Sequence, residues 1–219
     1  MKPLILDFLT SLEDNNNRDW FQQNKKTYEQ AKKELETFVN SIIPELAKFD
    51  DSVRFVVAKD CIFRIFRDVR FAKDKSPYKT NMGAWISGAG RKSPGPGYYL
   101  HIQPGGSFLA AGVYQPEPVQ LKKIRNEIYY NAAEFKSILD EKQLKKISTG
   151  LYENDKGKMA PRDFPKDFPD MELLKYKHYT LMCPLKDEIV VGENFHETVM
   201  AAFKSMHPFN VFLRRALEE

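Results

Sequence analysis

The chain has 219 residues, 42% hydrophobic and 13% aromatic, which suits one large domain with its own core and excludes a disordered polymer. Its 34 basic and 30 acidic residues leave a net charge of only +4, so any preference for anions must come from clustering, not from total charge. No apolar run approaches the ~20 residues of a membrane span, Asp7 interrupts the short N-terminal apolar run as a signal peptide would not, and Cys61 and Cys183 sit in apolar runs that suit buried thiols of a reducing cytoplasm.

The first predicted helix carries Leu4, Ile5, Phe8, Leu9 and Leu12 on one face. Asn15-Asn16-Asn17 breaks it, and Asn17 is placed to cap a short helix bearing Trp20 and Phe21. A long helix is predicted from about Asn24 to Phe49, with Tyr28, Ala31, Leu35, Phe38, Ile42, Leu46 and Phe49 inward. Pro44 lacks an N–H and should kink that helix or start a new one. Strands are expected at Val53–Val57, Cys61–Phe66, Met82–Ser87, Tyr98–Gln103 and Ser107–Tyr114. Gly- and Pro-rich turns join them directly, which favours antiparallel pairing. Helices return at Pro118–Tyr130 and about Ala132–Leu139. Gly150–Pro169 reads as a long ordered loop and His178–Cys183 as a sixth strand. A last helix carries Phe195, Val199, Ala202 and Met206, with Phe209, Phe212, Leu213 and Leu217 beyond Pro208. The expected class is α+β: a central, mostly antiparallel sheet flanked by N- and C-terminal helices. The expected organisation is one domain over 1–219, helical in 1–50, a sheet block in 51–116 and mixed helical in 117–219.

The segment 63–81 is the most distinctive. It interleaves Arg64, Arg67, Arg70, Lys73, Lys75 and Lys79 with aromatic and β-branched residues. On a straight strand Arg64 and Arg70 would lie ~20 Å apart, at roughly 3.3 Å per residue, too far to grip one phosphate. On a helix Arg64, Arg67 and Asp68 would sit together. The β-branched and aromatic content favours a strand to about Phe66, followed by a bend near Arg67-Asp68 that lets the arginines converge with Lys79. In the next strand but one, Tyr99, His101 and Gln103 share one parity and Tyr98, Leu100 and Ile102 the other. A face of Tyr, His and Gln is too polar for an ordinary core.

These residues define a candidate anion-accepting pocket. Arg64, Arg67, Arg70, Lys79, Tyr78 and Tyr99 would bind a phosphorylated or carboxylated small molecule. His101 would be the general acid or base, with Asp68 orienting it or an arginine. A second reading makes Arg91 and Lys92, with Tyr78, Tyr98 and Tyr99, a nucleic-acid contact surface. A third makes the motif an internal network, with Arg64 paired to Asp68 and Lys73 or Lys75 to Asp74. No nucleophile elbow, phosphate-cradling loop or dinucleotide fingerprint occurs. Glu193-x-x-His196 is a single helical pair and reads as surface, so neither a metal nor a cofactor is named by the sequence. His178 and His207 read as structural. The loop Ser87–Gly97 is long enough to act as a lid.

Several of these segments together resemble one family. They are Asn15-Asn16-Asn17-Arg18-Asp19-Trp20-Phe21, Phe63 through Phe71, Lys73 through Asn81, Gly97 through Pro104, and Gly112-Val113-Tyr114-Gln115-Pro116. The chain resembles the conserved-hypothetical family known as domain of unknown function 2461 over nearly its whole length. The family pattern has Gly where this chain has Asp163, between Arg162 and Phe164. The resemblance implies one domain and supplies no activity, substrate or cofactor.

Overall fold

The computed structural model describes residues 1–154 and 156–218. The N-terminal layer contains α1 (Leu4–Asp14), α2 (Arg18–Gln23) and α3 (Lys25–Leu46). Asn17 caps α2 by accepting from the Trp20 amide at 3.0 Å, satisfying one of the amides that a helix start leaves without a partner. Along α3, Ala31, Leu35, Val39, Ile42 and Leu46 are buried at helical spacing. Pro44 does not start a new helix: α3 runs through it to Leu46. Pro44 lies in the last turn, so its missing N–H forfeits one bond near an end that would soon fray anyway.

Two expected strands are replaced by other structure. Val53–Val57 does not extend, because the Asp50 carboxylate accepts from the Ser52 amide at 3.2 Å and winds Asp51–Val53 into a 3-10 turn. Cys61 ends a short helix, α4 (Ala58–Cys61), and the following segment pairs only through isolated bridges at Ile62 and Phe66.

The sheet contains β1 (Met82–Ile86), β2 (Gly97–Ile102), β3 (Phe108–Val113), β4 (Gly150–Leu151) and β5 (Tyr179–Pro184) among the described residues. Their order is β1-β2-β3-β5-β4 and every pair is antiparallel. The α+β class is therefore correct. The short β4 falls inside the stretch expected to be loop. Between and after the strands come α5 (Pro118–Tyr130), α6 (Ala132–Leu139), α7 (Lys142–Ile147), α8 (Met171–Leu174), α9 (Asp187–Val190) and α10 (Phe195–Glu218). Among the described residues no helix is long and apolar enough to cross a membrane.

The sheet has two unlike faces. Tyr98, Leu100, Ile102, Leu109, Ala111 and Leu181 are buried on the inner one, against α10. That helix continues through exposed Pro208 and buries Phe203, Phe209, Phe212 and Leu213, each contributing roughly 2 kcal/mol. Gly112 permits the close approach: a Cβ there would stand 2.0 Å from the Tyr179 carbonyl oxygen and 2.9 Å from the Phe209 ring, and its φ is +131°. The outer face carries Trp85, Tyr99, His101 and Phe108, all partly exposed and none in the core cluster.

One buried carboxylate ties the layers together. Asp50 is 1% exposed. It accepts from the Tyr98 hydroxyl of β2 at 2.9 Å, from Arg214 of α10 at 2.9 Å and from the Ser52 hydroxyl at 2.6 Å. Since ionised Asp50 only accepts, Tyr98 must donate to it, so the Tyr98 oxygen accepts from His207 Nδ1, 2.9 Å away. Burial alone would raise the Asp50 pKa, but the bonds from His207, Ser52 and Arg214 outweigh it and hold the carboxyl well below the usual aspartate range.

Asp50→Ala should cost about 3–5 kcal/mol in urea unfolding, because it strands Arg214 and Tyr98. Asp50 has a folded pKa below its unfolded one. Its contribution should be complete above the ordinary aspartate value of 3.8 and fade as pH falls below it. An acid unfolding curve that is the same in wild type and Asp50→Asn would contradict this. Gly112→Ala should cost about 3 kcal/mol, from overpacking plus backbone strain.

Candidate functional site

The basic segment leaves the sheet beside β1 and returns into it. Ile62 bridges to Ala84, and the Phe63 amide donates to the Gly83 carbonyl at 3.0 Å. Further out, the Lys79 amide donates to Ile65 O at 2.8 Å and the Arg67 amide to Pro77 O at 3.0 Å. The ladder ends there and residues 68–76 turn the chain, so the reversal begins at the expected Arg67-Asp68 position.

The N-terminal layer fixes this arm. The Asn16 side chain accepts from the Tyr78 amide at 3.1 Å and donates to the Tyr78 carbonyl at 2.9 Å, as a neighbouring strand would. The Tyr78 ring is buried and stacks on Phe21 with centroids 3.9 Å apart. Tyr78, an expected ligand contact, is thus occupied in anchoring the arm.

The cations divide into two sets. Arg67 pairs with Asp74 and also donates to Ser76 O at 3.2 Å. Arg70 grips Asp68 with both Nε and Nη2, at 2.9 and 2.7 Å, and this bond lowers the exposed Asp68 pKa. Asp68 therefore holds Arg70, whereas the His101 ring is held by Tyr99 and Gln103. Lys75 donates to the Val69 carbonyl at 3.0 Å, closing the loop. Arg64 and Lys79 form the other set. Among the described residues neither makes an ion pair. Lys79 is half-buried, and its ammonium lies 5.5 Å from the centre of the Phe63 ring. Burial, and then the charge of Arg64, lower its pKa.

Phe63 joins this pair to the outer face of the sheet. Its ring meets Tyr99 edge-on at 6.1 Å. Tyr99 lies 6.5 Å from Trp85 and 5.7 Å from Phe108, and His101 stacks on Phe108 at 4.5 Å. The Tyr99 hydroxyl lies over Gly83, where a Cβ would come within 2.7 Å of it. Glycine makes that placement possible.

A directional hydrogen-bond chain runs along β2. Gln103 Oε1 only accepts, so His101 Nε2 carries the proton and donates to it at 3.0 Å. Nδ1 is then an acceptor, and the Tyr99 hydroxyl donates to it at 3.0 Å. Burial lowers the His101 pKa, against a smaller opposing effect of the Gln103 bond. Burial, and then Tyr114, push the Tyr99 hydroxyl up to about 12. At neutral pH the pair is an uncharged histidine holding a protonated tyrosine.

Lys79, Tyr99 and His101 thus lie along one run of side chains through Phe63, with Arg64 near enough to Lys79 to lower its pKa, while Arg67, Arg70, Asp68 and Tyr78 are held in the arm's own structure. Sequence reasoning missed Phe63, Gly83 and Asn16. The parity of Phe63 with the outer face was the one signal available for the first, and nothing local marked the others. The remaining chemistry-bearing groups have structural settings. Cys61 and Cys183 are buried and unpaired, and burial, with Asp60 at Cys61, pushes their thiols up to about 12 and 11. His196 sits 3.6 Å from Glu45. Among the described residues no cluster could hold a metal ion. The loop after β1 is pinned to α4, Arg91 donating to Lys59 O and Asp60 O at 3.1 and 3.0 Å.

The family model described as conserved hypothetical protein (DUF2461) matches residues 4–212. No curated protein and no solved structure matches the chain.

The tautomer and the titration are measurable. In nitrogen-detected NMR, His101 should carry its proton on Nε2 and titrate below the ordinary 6.5. Gln103→Leu should lower the midpoint further, since it removes the bond that favours the charged ring. A midpoint above 6.5 would be inconsistent with this site.

Proposed function

We propose that this chain, which belongs to the conserved hypothetical protein family DUF2461, binds small phosphorylated or carboxylated molecules at the base of its basic arm. The anion lies between Arg64 and Lys79, and the rest of the ligand rests on Phe63, Tyr99 and Trp85.

One observation carries this reading. Two like charges stand close enough for Arg64 to depress the Lys79 pKa, Lys79 is half-buried, and no carboxylate among the described residues makes an ion pair with either, although the charge of Arg64 also reaches Asp68. Acids are present nearby, but Asp68 and Asp74 are committed to Arg70 and Arg67. An incoming anion relieves the repulsion and gains charge-assisted bonds from both cations. Tyr99 offers the ligand its ring, because its single proton is already donated to His101 Nδ1. Its proton stays in place at neutral pH, and both His101 nitrogens are already engaged. The arrangement therefore favours binding over proton transfer.

Thermal melting against inorganic phosphate and a panel of phosphorylated and carboxylated metabolites tests the proposal. A true ligand at ~100 times its Kd should add ~2.7 kcal/mol. Lys79→Met should abolish the shift while leaving the unliganded protein at least as stable. Equal stabilisation of wild type and an Arg64→Gln, Lys79→Gln double variant would overturn the assignment. Affinity should also fall as pH rises through the Lys79 pKa, below the ordinary 10.5, because only the charged amine attracts the anion.

A further inference from the structure

The outer part of the arm has a property that the small-molecule site does not use. Residues 63–79 hold six of the 34 basic residues and two of the 30 acidic ones. The rest of the chain is balanced, so the whole net charge of +4 resides in this arm. Because Arg67 and Arg70 are neutralised by Asp74 and Asp68, the excess falls on Arg64, Lys73, Lys75 and Lys79, spread from base to tip. Three phenylalanines are interleaved with them. Phe71 at the tip is 96% exposed and Phe66 is 48% exposed, while Phe63 stands at the base.

The arm is also built to keep its shape. Lys75 holds Val69 O, Asp74 accepts from the Ser76 amide at 2.9 Å, and the Arg70 guanidinium lies 5.9 Å from the Phe71 ring. A purely solvated loop has no need to hold a large apolar ring in water beside fixed cations.

We propose that the arm docks single-stranded nucleic acid, its free cations following the phosphates and Phe71 stacking on a base. Cations alternating with aromatic rings are what such a strand requires, since every base has a π-face and every link a charge. A membrane fits less well. It would meet the tip alone, where Phe71 is the one strongly exposed ring, and Phe66 leans back onto Tyr78 at 5.4 Å and Phe21 at 6.0 Å. The proposal shares Arg64 and Lys79 with the small-molecule reading, but Phe71, Lys73 and Lys75 lie outside that site and carry its test.

Fluorescence anisotropy of the full chain with a labelled oligo-dT of about 12 nucleotides, within the 4–16 typical of such sites, tests it. Four neutralised phosphates predict that affinity falls about 50-fold between 50 and 200 mM salt. Phe71→Ala should weaken binding about tenfold with little change in salt slope, and Lys73→Ala should reduce the slope. Both side chains are exposed and make no hydrogen bond among the described residues, so the variants should melt as wild type does. Absence of binding at 50 mM salt would overturn the proposal. So would binding indifferent to Phe71→Ala, or capture by phosphatidylserine vesicles with none by the oligonucleotide. Lys79→Met separates the two sites: loss of phosphate-induced stabilisation with oligonucleotide binding retained through Phe71 leaves the arm's role standing alone.

Discussion

The buried Asp50 carboxylate is the constraint on which the rest of the architecture depends. It is the point where the end of α3, the 3-10 turn, β2 and α10 meet, through Ser52, Tyr98, His207 and Arg214. An ion this deep is costly unless every acceptor site is used, and here donors arrive from three separate elements. The carboxylate acts together with the close fit of Phe209 over Gly112 and the Asn210 bond to Gly97 O at 3.0 Å, which also position α10 on the inner face. A charged group that requires Tyr98 and Arg214 together allows one register. Fixing Tyr98 inward also fixes Tyr99 outward, because neighbouring strand residues face opposite ways. The orientation of the outer face is in this sense set from inside the core.

The basic arm is held from outside the sheet. It makes only a short ladder of its own, and two-stranded ribbons are marginal in water. Asn16 substitutes for a missing strand by bonding both the amide and the carbonyl of Tyr78, and Phe21 covers the ring. The N-terminal helices are therefore part of the arm's support, and the run from Asn15 to Phe21 and the run from Phe63 to Asn81 form one structural unit despite the distance between them in sequence.

Much of this was legible in the chain. Periodicity located α1, α3, α5, β1, β2 and β3, and side-chain parity in Gly97–Ile102 separated the core face from the polar face. What escaped were features decided by tertiary partners. Val53–Val57 has strand composition, but the Asp50 cap winds its start. Pro44 and Pro208 look like breaks, yet one falls in a last turn and the other on an exposed side of a helix whose opposite face is deeply packed. Within the site, residue type identified the cations but not their partners. Asp68 lies four residues from Arg64 and two from Arg70, and only the loop geometry assigns it to Arg70.

That assignment separates the two halves of the arm. Had Asp68 paired with Arg64, the charge beside Lys79 would be neutralised and Arg70 left free at the tip. Instead the pairs Arg67–Asp74 and Arg70–Asp68 consume the acids in the outer loop, and the base retains two cations that repel each other. Leaving Lys79 half-buried and uncompensated costs stability, as its lowered pKa reflects. A segment under purely structural constraint would relieve that cost with a single carboxylate. The same residues that rigidify the tip thus leave an unmet demand for negative charge at the base, beside a sheet face whose tyrosine is held protonated. One distribution of two acids among six bases shapes the arm and leaves the charge on which the proposed anion site rests.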